Sequence, residues 1–347
     1  MRLLKRIALI PAVLLLALAI VFAWASSGTL PDEALATVTI YDDTAFRQAA
    51  PGDTFTVVAY NLGYLSGMTN NLPVKRSAAL FNAHMDAATA LLRRADADLV
   101  AFQEIDFGAA RSYYVHQLDT LAQRLGYATS AAAVNWDERY LPFPSANPLM
   151  HFGRVLSGQA VLSRYPVRRH ERIALERPPS PFYYDAFYID RLAQIVEVDL
   201  GRALVIINVH LEAWDTATRE RQAEALRALY LHYRTTHPVL LIGDFNSLLP
   251  LSKNSPSLSP TQRAYFADDR TMEILLHDTA LREAFADSIY ATREAETFTS
   301  PATAPNKKID HLLYDAAKLD VVEAFVIGGP DQPSDHRAVA MRFVFKN

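Results

Sequence analysis

The stretch "PVLLIGDFNSLLP", residues 238–250, decides how the rest of the chain is read. A hydrophobic run from Val239 through Gly243 leads straight into Asp244, Phe245 and Asn246. A continuous run of this kind reads as a strand buried on both faces. Residues i and i+2 of a strand share a face, so Asp244 and Asn246 can address one object where the chain leaves the core. Taken alone, the pair is as well explained by turn and cap chemistry, which favours both residue types. The other strand candidates decide between the two readings.

"TFTVVAYNL" carries Asn61 near its end, "DLVAFQEI" carries Glu104, and "RALVIINVHL" ends with Asn208 and His210. Toward the C-terminus the order reverses: Asp310 opens "IDHLLYD", and Asp335 and His336 precede "RAVAMRFVF". Where strands pair antiparallel, the end of one lies beside the start of the next, so these polar residues are expected to converge on one rim. Carboxylates and amide oxygens are hard ligands suited to Mg2+, Mn2+ or Ca2+. Glu104 is the expected direct ligand, with Asn61 beside it. Asp335 and His336 are adjacent and point to opposite faces of an extended chain. His336 is therefore expected to be oriented by a carboxylate from another strand, with Asp310 the candidate. Asp244 is placed to orient or deprotonate a water, and Asn246 to hold a phosphoryl oxygen.

Helical spacing marks "RSAALFNAHMDAATALLRRA", "HQLDTLAQRLGY" and "TATRERQAEALRALYLHYR", with a further helical region around 261–288. Three strand candidates follow in succession, "GQAVLSRYPV", "DRLAQIVEVDL" and "RALVIINVHL", and "KIDHLLYD" and "AVAMRFVF" close the chain. One α+β domain over residues 53–346 fits this order, with sheets packed on each other and helices outside. Two segments rich in proline and aromatics, "WDERYLPFPSANPLMHFGR" and "RPPSPFYYDAFYID", read as substrate-facing loops.

The 347 residues include 34 Lys plus Arg against 38 Asp plus Glu, a net charge of -4, and no cysteine. Disulfides, thiolate zinc sites and cysteine nucleophiles are excluded, and no overall attraction for polyanions exists. Arg2, Lys5 and Arg6 precede an apolar run over residues 7–25, and Ala23-Trp24-Ala25 fits a small-x-small cleavage site. Residues 1–25 therefore read as an export signal, either cleaved or retained as a membrane anchor. The basic end stays cytoplasmic and the remainder is expected to be periplasmic or extracellular. Residues 26–52 are polar and proline-containing and read as a linker or tether.

The ordered set "YN", "FQE", "NVHL", "GDFN", "KKID" and "SDH" resembles the endonuclease/exonuclease/phosphatase superfamily over residues 54–343. The resemblance implies a four-layered αββα sandwich and metal-dependent hydrolysis of phosphate esters. It implies Asn61 and Glu104 at the metal, with Asp335 a further metal or water contact. It implies Asp244 and Asn246 at the nucleophilic water and phosphate, His210 on phosphate or the leaving group, and Asp310 with His336 as a supporting pair. The abasic-site endonuclease branch carries a Tyr-x-Pro-Asn element where this chain has "NVHL". "NVHLEAW" followed by Arg219 and Gln222 looks more like the sphingomyelinase, inositol-phosphatase and deoxyribonuclease I-like branches.

The resulting expectation is an exported phosphodiesterase dependent on Mg2+ or Mn2+, acting as a monomer, in which water attacks phosphorus and a protonated His210 assists the developing charge. Its rivals are a nuclease, a phosphomonoesterase and a non-catalytic binding module. Few basic groups lie near the expected site: Arg154, Arg191, Lys307 and Lys308. Aromatics abound in the two loop segments: Trp136, Tyr140, Phe143, Phe152, Phe182, Tyr183, Tyr184, Phe187 and Tyr188. That balance favours a small or lipid-linked phosphodiester over long duplex DNA, with membrane association through the N-terminus. His311 is expected to point away from Asp310 and to be structural.

Overall fold

Val57 and Ala59 face one way from their strand, Val58 and Tyr60 face the other, and all four are buried. The neighbouring strand repeats the pattern, Leu99 and Ala101 on one face, Val100 and Phe102 on the other. Strands covered on both faces must lie between two layers. The computed structural model, which describes residues 2–329 and 332–346 with side chains from Ile10 onward, shows those layers.

The strands are β1 Ala36–Ile40, β2 Phe55–Asn61, β3 Leu99–Asp106, β4 Thr129–Leu141, β5 Gly153–Ser163, β6 Val167–Ala174 and β7 Leu192–Asp199. They continue as β8 Ala203–His210, β9 Val239–Asp244, β10 Leu281–Glu283, β11 Asp310–Asp315, β12 Leu319–Ile327 and β13 Ala338–Phe345. Seven form one sheet in the order β1-β4-β5-β3-β2-β13-β12, and six form the other, β10-β11-β9-β8-β7-β6. The helices are α1 Arg2–Ala25, α2 Ala78–Ala95, α3 Gln117–Leu125, α4 Phe182–Asp185, α5 Thr216–Tyr233, α6 Pro260–Phe266, α7 Thr271–Leu276 and α8 Asp287–Arg293. Phe81, Met85 and Leu92 of α2 and Leu118 and Leu121 of α3 pack with Val58, Tyr60, Val100 and Phe102 on the outer face of the first sheet. Leu226 and Tyr230 of α5 and Met272 and Leu275 of α7 join the core of the second. The order of layers is helix, sheet, sheet, helix, the αββα sandwich.

Two parallel pairs, β2/β3 and β8/β9, are each joined through a helix, α2 and α5. Both deliver their C-terminal ends to the same rim. β13 runs antiparallel to β2, and β11 antiparallel to β9, so the starts of β13 and β11 arrive there too.

The sequence reading differs from the structure at three strands. The segment read as a linker carries β1, which pairs with β4, and its Tyr41 hydroxyl reaches Asp119 at 2.5 Å. Alternation in so short a stretch, "ATVTI", is a weak signal beside its polar flanks. β4 covers "TSAAAVNWDERYL" and so takes the start of one segment read as a loop; its alanines carry little strand propensity and are held by the β5 partner instead. β12 has mostly exposed or half-buried residues and is an edge strand, and its apolar residues are divided by Asp320 and Glu323. The basic residues Arg2, Lys5 and Arg6 of the export reading lie outside the described side chains. Among the described residues no helix is long and apolar enough to cross a membrane.

Candidate active site

Strand register builds the site. His210 pairs with Asp244 across β8 and β9, and Asp244 pairs with Asp310 across β9 and β11. Directly paired residues share a face, so these three side chains form a row on the face turned toward the other sheet. Opposite them stands Asn61, whose Nδ2 donates to Asp244 Oδ2 at 2.9 Å and lies 3.4 Å from Glu104 Oε1. His336 completes the rim: its Nδ1 donates to Asp310 at 2.9 Å, and its Nε2 lies 3.9 Å from Asp244 Oδ2. Ser334 holds the turn before β13, donating to Asn61 O at 2.7 Å and accepting from the backbone N–H of His336 at 3.0 Å.

Glu104 is aimed by a bulge. β3 runs past it to Asp106, and its register with β5 shifts between Phe102 and Ile105, with Glu104 at φ +50°. Parity alone would turn Glu104 with Val100 and Phe102 toward the helices; the bulge re-aims it to the rim. Its carboxylate accepts from Asn70 Nδ2 at 2.8 Å, and the same Nδ2 lies 3.4 Å from Asp335 Oδ1. Gly63, at φ +53°, leaves room for Asp335: a Cβ there would lie 2.6 Å from its Oδ1.

The matching family adds a name to this geometry. The sequence profile of the Endonuclease/Exonuclease/phosphatase family matches residues 58–336. The chain belongs to the Endonuclease/Exonuclease/phosphatase family. Solved structures share its fold. An endonuclease/exonuclease/phosphatase from Beutenbergia cavernae is 20% identical with a TM-score of 0.58, over 85% of this chain and 72% of that one. The mannosyl-6-phosphatase of Bacteroides thetaiotaomicron is 16% identical at 0.56, over 84% of this chain and 100% of that one. The human Nocturnin catalytic domain is 17% identical at 0.52, over 92% and 100%. No curated protein matches in sequence. Endonuclease/Exonuclease/phosphatase members are metal-dependent phosphoesterases, and so is this chain.

The donor set fits a hard divalent cation. Burial first, and then the charge of Asp335, push the Glu104 carboxyl up to about 7. Two crowded carboxylates held by one amide suit a cation that takes oxygen ligands. Asp244, Asp310 and His336 also offer ligand atoms within 4.8 Å of one another. There, although burial opposes it, Asp310 holds His336 protonated well above the usual histidine range, and a protonated imidazole cannot ligate. Glu104 and Asp335 are the better pair. Asn61 turns its amide nitrogen toward Glu104 and Asp244, spacing the two carboxylates, while its Oδ1 accepts from Gly63 N at 3.1 Å.

Three further expectations change. His210 is held neutral, its pKa pushed well below the usual value by burial and then by the positive charges of Arg191 and His336. Its Nε2 stands 3.6 Å from Asp244 and 3.8 Å from Glu104, beyond hydrogen-bonding range. Asn246 lies beyond the end of β9 at φ +50°, with its N–H donating to Asp244 Oδ1 at 2.9 Å and its Nδ2 to Leu211 O at 3.0 Å. It therefore shapes the loop and braces Asp244, as turn chemistry allows. Asn208 is not on the rim: it lies between the sheets, bonded to Gln103 at 2.6 Å and Gln194 at 2.9 Å. Among the basic candidates, Lys308 donates to Asp310 O at 2.5 Å and faces Glu283, and Arg154 faces Asp137 at 3.6 Å. His311 is also structural, bridging Glu283 and Ser247.

Sequence reasoning missed Asn70 and Ser334, which sit in loops with no periodicity to single them out. It named Arg191 only as one of four basic groups near the expected site. Arg191 is 6% exposed, and its Nε has no hydrogen-bond partner among the described residues; Glu212 Oε2 stands 3.6 Å away and accepts from Tyr188 instead, at 2.6 Å. A cavity of about 560 Å3 opens from this edge of the site. Glu104, His210 and Arg191 line one end, and Trp136, Phe143, Tyr183, Tyr184, Phe187 and Tyr188 supply aromatic walls. Phe152 is not among them; it is buried beside Leu141 and Val155.

Proposed function

We propose that this phosphoesterase is an exported phosphodiesterase that hydrolyses a small or lipid-linked phosphodiester. The observation that carries the reading is the aromatic cavity that begins at Glu104, His210 and Arg191. A reacting phosphate at that end meets one buried cation, Arg191, and a neutral imidazole; the ester's organic part meets Trp136, Phe143 and the tyrosines. A tracking surface for a long polyanion needs clustered cations, and this rim offers few.

Asp244 fits the general base. Burial and then the charge of Asp310 raise its carboxyl to about 6, and Asn61 and Asn246 fix its direction. A base with a pKa near the working pH can take the proton of an attacking water and release it again. His336, kept protonated by Asp310, offers Nε2–H to a phosphoryl oxygen on the same side. A divalent cation held by Glu104 and Asp335, Mg2+ or Mn2+ by the hardness of the donors, would supply charge stabilisation to the phosphoryl oxygens and the leaving group.

The test compares phospholipid vesicles with supercoiled plasmid at equal enzyme and Mg2+. Release of a phosphorylated head group with slow plasmid nicking supports the proposal. Rapid nicking with no head-group release replaces it with a nuclease. Export is tested separately by fusing residues 1–25 to a reporter active only outside the cytoplasm; a silent but stable fusion refutes it.

A further inference from the structure

The apolar helix α1 does not end in a free tether. Ala25 is buried at 6% exposure, and the residues after it are fastened to β4. Arg139 donates its backbone N–H to Ser27 O at 3.1 Å and its Nε to Ser27 Oγ at 3.0 Å. The Asp137 carboxylate accepts from Thr29 N at 2.6 Å, Thr29 Oγ1 at 2.9 Å and Leu30 N at 2.8 Å. Gly28 fits closely against the same carboxylate, since a Cβ there would lie 3.0 Å from Asp137 Oδ2. The segment around the small-x-small signal is therefore built into the domain.

The last turn of α1 also reaches the cavity. Phe22 lines it, edge-on to Phe187 at 5.4 Å and to Phe182 at 6.0 Å between ring centroids. Glu104 and His210 line the same space. Among the described residues upstream of Phe22 the helix is exposed: Ile10, Leu14, Leu15 and Leu18 are each more than 60% exposed. Its apolar run over residues 7–25, at about 1.5 Å per residue, gives roughly 28 Å, close to the hydrocarbon core of about 30 Å. Phe182, which meets Phe22, is 76% exposed, and Trp214, which lines the cavity, is 80% exposed, as aromatics at a membrane–water interface are.

We infer that α1 is retained as a membrane anchor and that its last turn, through Phe22, is a wall of the substrate cavity, which receives the apolar chain of a lipid phosphoester from the bilayer holding α1. The inference rests on the lipid-linked reading above and adds to it. Cleavage after Ala25 would remove Phe22 and open the cavity. The catalytic rim then faces the bilayer surface, with the phosphate at Arg191 and the chain running past Phe187 toward α1.

The experiment uses the full chain in detergent and two soluble probes, 4-nitrophenyl methyl phosphate and 4-nitrophenyl dodecyl phosphate, the latter kept below its micelle concentration. The readout is the dodecyl-to-methyl ratio of kcat/KM, together with the intact mass of the membrane-fraction protein. The expected results are an intact mass that includes α1, a wild-type ratio well above one, a ratio lowered about fivefold by Phe22→Ala as part of an aromatic contact is lost, and most of it kept by Phe22→Leu. A mature protein beginning at Ser26 overturns the inference, and so does a high ratio that Phe22→Ala leaves unmoved. A wild-type ratio near one sinks the lipid-linked reading itself, and with it the chain-binding role of Phe22.

Discussion

Replacing Asp244 by Asn should inactivate the enzyme and, at neutral pH and above, stabilise it. Asp244 is fully buried beside Asp310, and its carboxyl rises from 3.8 to about 6. A rise of that size corresponds to about 3 kcal/mol, at about 1.4 kcal/mol for each tenfold change in proton affinity. The sign follows from linkage: the folded state binds this proton more tightly than the unfolded state, so the charged form costs stability. The cost is absent below pH 4, grows as pH rises and is complete above pH 6. Asparagine removes the charge but turns an amide nitrogen toward one of two donors, Asn61 Nδ2 or Asn246 N. That mismatch takes back about 1 kcal/mol, leaving a net gain of about 2 kcal/mol at pH 8. The gain corresponds to a Tm rise of roughly 3 °C, while loss of the general base lowers kcat by about two orders of magnitude or more. The assay is thermal unfolding in EDTA at pH 8 and pH 4, beside kcat on a chromogenic diester with Mg2+. A variant less stable at pH 8, or one with kcat within threefold of wild type, would refute the reasoning.

His336→Ala and Asp310→Asn should each reduce kcat by about two orders of magnitude, since Asp310 orients and charges His336 through a 2.9 Å contact. Near-normal turnover in both folded variants would remove the pair from the mechanism. Exhaustive chelation should abolish hydrolysis and added Mg2+ or Mn2+ restore it; full activity in the chelated enzyme contradicts the Glu104–Asp335 assignment. Outside the site, burial pushes His170 down from 6.5 to about 4, so the folded state resists its protonation. Stability should therefore fall by up to about 3 kcal/mol as pH drops from 6.5 to 4, a loss that His170→Gln flattens in a pH series of unfolding midpoints.

Much of the rim was legible because strands obey a period of two and antiparallel neighbours bring starts beside ends. Asn61, Asp244, Asp310, Asp335 and His336 needed only those rules to be brought together, and the Asp310–His336 pair followed from opposite facing of adjacent residues. The two sheets with outer helices were likewise written in apolar runs and helical spacing. The edge strands β1 and β12 and the alanine-rich β4 were not: β1 is short, β12 is broken by charges, the alanines of β4 carry little strand propensity, and neighbours across the sheet hold all three.

The sequence by itself determined which residue types stand at strand ends, and hence the hard-ligand, acid–base character of the site. Tertiary structure alone decided how they are aimed and charged. Parity would have sent Glu104 to the helical layer, and a one-residue bulge turned it to the rim. His210 has the same formula in any context, yet burial between Arg191 and His336 makes it neutral. Asn208 shares a strand and a face with His210 but is two residues deeper, where Gln103 and Gln194 occupy its amide. Phe22 meets Phe187 from a distant part of the chain, a contact that no local pattern encodes. Periodicity is a property of neighbours along the chain, whereas charge state, bulge geometry and cavity walls depend on what distant segments bring alongside.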